Sequence, residues 1–377
     1  MPIRNYSIVL LATLLLALSA AAQENFPLFP ILQNKKWGYM NREGKVVIPA
    51  QFEYARPFSE GLAQVTIGPR KDENESFIDS QGIPAIPQKY YRAGDFSEGL
   101  APVAFKTKQT SPCVDCSTYD WNLRFGFIDK TGRLVIEASF RDARAFHEGL
   151  AAVQGDSRKW GFIDASAKLV IPYSFDYASF FFEGLAAVMH GNAWGYIDKT
   201  GKWVLEPRFT SAHSFHEGKA IAKTGGMLDR RECGLPCLLP SGGNWGVLDR
   251  KSLAITGIKA FSTLRDYSEG LLSFYSDPDH CGYMDAEGKI AISPQWGSCN
   301  DFSEGLALVK GSNDAYYIDH SGRKILSSPT PEAFDFHDGL AQVGQWWPDG
   351  DWQGYIDHSG RLVWSSGNLP AKKVKRK

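Results

Sequence analysis

The sequence predicts an all-β protein: a repeat array of about eight three-stranded antiparallel meander units, with an open superhelix or solenoid favoured over a closed propeller. Three observations predict it. A Glu-Gly-Leu element returns with its glycine at Gly61, Gly99, Gly149, Gly184, Gly218, Gly270, Gly305 and Gly339, in steps of 38, 50, 35, 34, 52, 35 and 34. A fixed period of this size marks a repeat architecture whose units need their neighbours. Each unit also opens on an alternating run such as Trp194-Gly195-Tyr196-Ile197-Asp198, with strand character. The third observation is a second apolar run in each unit, such as Trp203-Val204-Leu205. Apolar residues on both faces of both strands predict burial on both faces, which stacking supplies. A unit of about 34 residues is short for a four-stranded propeller blade, although eight units can close a ring.

In chain order, Met1 to Ala22 carries Arg4, an apolar run from Ile8 to Leu18, and small residues Ser19 to Ala22. A positive start, a short apolar segment and a small-residue cut site read as a secretory signal. A signal anchor is the weaker reading, because the run falls short of the roughly 20 residues that cross a bilayer. The expectation is an exported chain, periplasmic or secreted, with no transmembrane segment in the mature chain. Residues 23–34 form a lead-in, 35–364 the array and 365–377 a basic, flexible tail ending Lys372-Lys373-Val374-Lys375-Arg376-Lys377. A formal charge of -1, with 22% charged and 43% apolar residues, excludes wholesale disorder and gives no nucleic-acid platform.

The first module runs Trp37 to Val65. Phe52, Ala55 and Phe58 follow the second strand at three-residue steps, so the connector is expected to be a helical turn or tight irregular segment. Between the first two strands, Asp129/Gly132 and Asp198/Gly201 typify a turn in which an acidic side chain bonds local backbone and glycine takes the left-handed position. These residues are assigned to structure. Insertions fall near 104–122 and 224–244, at equivalent connections, and loops on a rigid scaffold are candidates for a specific surface.

Six cysteines in an exported chain suggest disulfides. Local pairs are Cys113 with Cys116, Cys233 with Cys237, and Cys281 with Cys299, though sequence alone leaves the pairing open. Redox or zinc chemistry at the first pair lacks a supporting helix or further ligands.

Glu60, Glu98, Glu148, Glu183, Glu217, Glu269 and Glu304, with Asp338 in the eighth unit, invite a carboxylate-site reading. Acid–base catalysis needs two groups in different environments around one bond, whereas equivalent positions in every unit suggest a repeated bond to backbone amides of the next unit. His213 and His216 could share a helical face, but two ligands make no metal site. No catalytic residue, metal or cofactor is expected. Trp346, Trp347 and Trp352 lie in a connection, where exposed indoles offer flat contacts for a glycan or peptide, or else seal the array end.

The strand starts Trp37-Gly38-Tyr39, Trp160-Gly161-Phe162, Trp194-Gly195-Tyr196 and Trp245-Gly246-Val247, each followed by Phe-x-Glu-Gly-Leu or a close variant, resemble the WG-repeat family. The resemblance covers roughly residues 35 to 364. It implies a bacterial β-rich array, commonly in exported or surface-associated proteins, and supplies no catalytic residues. Departures are Phe125, Cys281 and Gln353 in the Trp slot, Phe77 without a preceding glycine, and Ala167 and Ser252 in the turn-glycine slot. The function expected is a noncatalytic extracytoplasmic scaffold binding an envelope protein or glycan. An envelope-associated hydrolase with a cleft near the inserted loops is the alternative.

Overall fold

The computed structural model describes residues 27–68, 74–107, 123–230, 238–258, 264–311, 314–344 and 352–367. The segment read as a secretory signal, residues 1–22, and the cysteines Cys113, Cys116, Cys233 and Cys237 lie outside them, as do Trp346, Trp347 and the end of the tail.

The chain is all β. The first sheet pairs Phe29–Gln33, Lys36–Met40 and Val46–Phe52, and the second Tyr54–Ala55, Ala63–Thr66, Glu75–Ile78 and Pro84–Tyr90. The third holds Arg92–Ala93, Leu100–Lys106, Leu123–Asp129 and Leu134–Phe140, and the fourth Asp142–Ala143, Ala151–Gln154, Trp160–Ile163 and Leu169–Phe175. The fifth is Tyr177–Phe182, Leu185–His190, Ala193–Asp198 and Trp203–Ala212, whose last strand runs on to pair with the sixth, Lys219–Thr224, Asn244–Asp249 and Ile255–Ile258. The seventh is Leu272–Asp277, His280–Met284 and Ile290–Trp296, and the eighth Ser298–Ser303, Leu306–Lys310, Ala315–Ile318 and Lys324–Ser327. The ninth is Ala333–His337, Leu340–Gly344, Gln353–Asp357 and Leu362–Ser365. All pairings are antiparallel, as expected. Met227–Arg230 and Leu238–Ser241, in the second insertion, pair as a separate hairpin where the sequence suggested only a loop.

The expected unit needs reframing. Each four-stranded sheet takes its first two strands from the end of one sequence module and its last two from the start of the next. Among the described residues the connector contains no helix; Tyr54–Ala55 and its counterparts are short strands along the edge of the next sheet. Ala55 and Ala178 are wholly buried there, because the three-residue steps follow a bend into a strand rather than a helical face.

The core sits between sheets. In the Trp194 strand, Ile197 packs against Phe162, Ile171 and Phe181, while Tyr196 packs against Leu205, Phe209 and Phe215. Burial on both faces is thereby achieved. The Trp-Gly pair has a steric cause: the facing strand breaks register between Trp194 and Tyr196, and a Cβ on Gly195 would lie 2.6 Å from the Leu205 carbonyl oxygen. Only glycine fits that approach without displacement.

Among the described residues no sheet closes into a barrel, and no strand ladder joins the ninth sheet to the first. The superhelix needs one amendment, because its ends are not free. Phe29, Ile31 and Met40 form one cluster with Leu340, Tyr355 and Trp364. Tyr196, Tyr283 and Tyr317 each donate their hydroxyl to a carbonyl in the following sheet, at His213, Asn300 and Phe334; Tyr355 donates in the same way to Pro30 at 2.7 Å. Turn glycines repeat the pattern, Gly82 lying on Ile48, Gly132 on Ile86, Gly201 on Ile171, and Gly44 on Val363. The array therefore meets itself through the packing used between neighbours.

Candidate functional site

Three repeated features account for most of the chemistry-bearing side chains. The Glu-Gly turn comes first. Glu60 and Gly61 have φ of 50° and 87°, and Ser59 and Leu62 exchange backbone bonds, which is the two-residue hairpin geometry with both central residues left-handed. A glutamate at positive φ is strained. Its carboxylate offsets that by accepting the N–H of the next unit's turn glycine. Gly99 donates to Glu60, Gly149 to Glu98, Gly184 to Glu148 and Gly218 to Glu183, at 2.9–3.0 Å. Gly270 donates to Glu217, Gly305 to Glu269 and Gly339 to Glu304, each at 3.0 Å.

Lysines and histidines from the following sheet reinforce this line. Lys130 lies 3.2 Å from Glu60, Lys199 3.2 Å from Glu148, His320 3.3 Å from Glu269 and His358 3.4 Å from Glu304. Burial alone would raise the Glu60 carboxyl, but bonds from Lys130 and the Gly99 amide outweigh it and lower it. The same balance, through Gly184 and Lys199, lowers Glu148. Carboxylates so engaged are ill placed to exchange protons with a substrate.

The second feature is the turn between the third and fourth strands. Asp198 Oδ1 accepts from the Thr200 and Lys202 amides and the Thr200 hydroxyl, and Gly201 stands at φ 83°. Asp129 is held likewise by Thr131 and Arg133 beside Gly132, and the Thr131 hydroxyl bond leads in pulling its carboxyl down to about 2. Ala167 takes the left-handed position itself at φ 67°, whereas in the sixth unit the position passes from Ser252 to Leu253.

The Trp slot is the third feature, and it is where units differ. Trp37 meets Tyr54 of the next sheet edge-on at 6.0 Å, and Trp160 meets Tyr177 at the same distance. At three positions where the slot is not Trp, another link crosses the same gap. Cys281 is disulfide-bonded to Cys299 of the next sheet, with Cα atoms 6.0 Å apart. This bridge leaves the seventh sheet for the eighth, because the connector belongs to the following sheet. Gln353 Oε1 accepts from the Leu32 amide at 2.7 Å, across the meeting of the ends. Glu75 occupies the slot in the second sheet and accepts from the Ala93 amide at 2.6 Å. Sequence reading missed Glu75, though its place two residues before Phe77 was the available signal.

Of the tryptophan candidates, Trp352 is 5% exposed inside the terminal core and donates its indole N–H to the Gly367 carbonyl at 2.9 Å. It seals rather than presents. In the connectors before the sixth and seventh sheets His213 Nδ1 meets Asp266 at 2.7 Å, and on the first strands of the eighth and ninth sheets Asn300 bonds Asp335 at 2.9 Å. Burial, together with Asp266 and Asp335, pushes Asp301 up to about 6 against the pull of Arg265. Among the described residues no group of three or more His, Cys, Asp or Glu side chains is gathered as a metal site, and no helix is long and apolar enough to cross a membrane.

These features define a β-sheet repeat scaffold whose recurring polar groups fasten unit to unit. Six segments match the WG containing repeat family, at 37–68, 76–105, 125–156, 160–192, 194–227 and 282–313, slightly more than half of the chain. The chain belongs to that family. Among solved structures it is similar to one described as the eukaryotic initiation factor, at 12% identity and a TM-score of 0.62, over 91% of this chain and 96% of that one. That likeness speaks for the fold alone. It also aligns with BamB from Moraxella catarrhalis at 9% identity and a TM-score of 0.43, over 89% and 95% of the two chains. The computationally designed Ika8 protein aligns at 11% and 0.45, over 82% and 93%. Neither of these two carries an argument. No curated protein matches.

Proposed function

We propose that the protein is a noncatalytic, extracytoplasmic repeat scaffold that binds an envelope protein or glycan on the face from which its long connections leave. The carrying observation is topological. In the second, third, sixth and ninth sheets the link between second and third strands is long, from Thr66 to Glu75, Lys106 to Leu123, Thr224 to Asn244 and Gly344 to Gln353, whereas in the fifth it spans only His190 to Ala193. Alternate connections of an antiparallel meander share one end. All four therefore leave opposite the Glu-Gly turns. Trp346 and Trp347 belong to the last of these links and are the contact residues proposed. Export, read from the first 22 residues, supports the partner class, and the formal charge of -1 argues against nucleic acid.

The test is binding of the full chain to a glycan array and to purified envelope proteins, before and after replacing Trp346 and Trp347 by alanine. Saturable binding lost with folding retained is the expected outcome. Binding unchanged by the replacement removes these residues from the surface. Turnover of a substrate, abolished by one carboxylate substitution, would replace the scaffold reading with the hydrolase.

A further inference from the structure

Two further positions, set by the connector aromatic that Phe58 exemplifies, fasten unit to unit. At several junctions the residue two before that aromatic meets the residue one before its counterpart in the next unit. Arg56 pairs with Asp95 at 3.1 Å, His213 with Asp266 at 2.7 Å and Asn300 with Asp335 at 2.9 Å, and the Ser179 and Ser214 hydroxyls share a bond at 3.3 Å. The residue just after the aromatic makes the second link. There the hydroxyls of Ser59, Ser97, Ser268 and Ser303 donate to the carbonyls of Phe96, Phe146, Phe302 and Phe336 at 2.7–2.8 Å.

Both positions change between the fourth and fifth sheets. Arg144 stands where Arg56 does, but the residue opposite is Phe180 rather than an acid or a hydroxyl. Its guanidinium lies over the rings of Tyr177, Trp160 and Phe180, at 4.6, 5.2 and 5.4 Å from their centroids. Rings meet the faces of that planar cation, whereas its N–H groups point outward in the plane and need acceptors. Among the described residues none accepts from it: Nε is buried without a partner, and Asp142, two residues back, attracts it through space without forming an ion pair. The serine position is taken in the fourth, fifth and sixth units by His147, Phe182 and His216, whose ring centroids follow one another at 4.1 and 4.9 Å. His147 also lies 6.2 Å from Phe180. A partly exposed row of rings thus borders a cation whose donors are unused.

This combination selects a ligand. A guanidinium edge takes a carboxylate through two parallel bonds. An acidic sugar would bring hydroxyls that find few partners, since Ser179 and Ser214 bond each other and the phenyl rings offer none. The last residue of a polypeptide carries a carboxylate and an apolar side chain on one carbon, so both can meet this surface together. We infer that Arg144, with the row His147, Phe180 and Phe182, binds the C-terminal residue of a partner polypeptide, its carboxylate on the guanidinium and an apolar side chain on the rings. The inference rests on the scaffold binding a protein, but uses a surface beside the Glu148 turn, apart from Trp346 and Trp347.

Calorimetric titration of the full chain with acetylated pentapeptides tests it: Gly-Ser-Gly-Ser followed by phenylalanine, leucine or serine, each with a free or an amidated terminus. At least one apolar-ended free acid should bind, with its amide weaker by roughly tenfold or more, the usual loss when a charge-assisted bond is removed. The serine-ended acid should bind more weakly as well. Phe180→Asp, which gives Arg144 the kind of partner that Arg56 has in Asp95, should abolish binding. Should that variant fail to fold, Arg144→Gln should still weaken binding by roughly tenfold or more. Binding by none of the free acids, equal binding of acids and amides, or binding untouched by both substitutions overturns the proposal, as does tighter binding of glucuronate than of every peptide. Replacing Trp346 and Trp347 should leave this binding unchanged, so either site can fail without the other.

Discussion

The Tyr355 hydroxyl donates to the Pro30 carbonyl at 2.7 Å, joining residues 325 positions apart by the bond that elsewhere joins one sheet to the next. Tyr355→Phe leaves that buried carbonyl without its donor, at a cost of about 1–3 kcal/mol. Urea denaturation should show the loss, and hydrogen exchange should quicken in Phe29–Gln33 more than in the fourth sheet. Equal exchange in both places would mean that the meeting of the ends contributes little. Deleting Trp160 to Ala193 leaves a shorter circuit, and the first symptom should again be exposure of Phe29–Gln33.

Glycines at equal φ should differ in their tolerance of alanine. Gly149 has φ 86° and open space around an added Cβ, whereas at Gly132, with φ 83°, that atom would lie 2.6 Å from Ile86 Cγ2. Gly149→Ala should cost about 1–2 kcal/mol for the left-handed backbone alone. Gly132→Ala should cost about 1–3 kcal/mol more, since Ile86 must move. In the fifth sheet Gly201→Val should likewise exceed Lys199→Ala, whose exposed ion pair is worth about 0–1 kcal/mol. Thermal melts of the four variants check the order.

The disulfide stands where a tryptophan would. Cys281 and Cys299 enclose a separation of 18 residues, and removing both thiols should cost about 3 kcal/mol by the loop-closure estimate. Reduction of the intact protein should lower its melting temperature by the same route, and by less in the Cys281→Ala/Cys299→Ala variant.

Stability against pH should bend in two directions. Glu60 and Glu148 are lowered, and Asp129 is held down to about 2, so their contribution is complete above their unfolded pKa values and lost as pH falls through the folded ones. Asp301 is raised to about 6 by burial, so its contribution is present below the unfolded value and lost as pH rises through 6. Asp301→Asn should therefore narrow the difference in stability between pH 5 and pH 8, measured by urea midpoint. An unchanged difference would mean that Asp301 ionises freely in the fold.

Much of this was legible from residue spacing. Trp194, Tyr196 and Ile197 alternate across a strand, and a strand buried on both faces must be sandwiched, so stacking follows. Gly201 and Asp198 carry their turn in four residues, and a local bond needs only local sequence. The offset of the sheets was hidden, because periodicity reports that Tyr54 and Phe77 recur but not that they share a sheet. The meeting of the ends was hidden for a related reason: Tyr355 and Gly44 make contacts of the kind made in every unit, so nothing in their surroundings marks them as terminal. Trp352 misled because an indole in a connection reads as exposed, while its burial depends on the turn back toward Gly367. Glu75 carried its signal in plain view, as a carboxylate where neighbouring units place an aromatic ring.

The offset between sequence module and sheet also bears on how such a chain can grow. A duplication bounded by Trp-Gly motifs adds the closing half of one sheet and the opening half of another, and every new edge finds a matching edge already present. Lengthening is then tolerated anywhere along the gene, and only the junction of first and last sheets must adapt to the altered circumference.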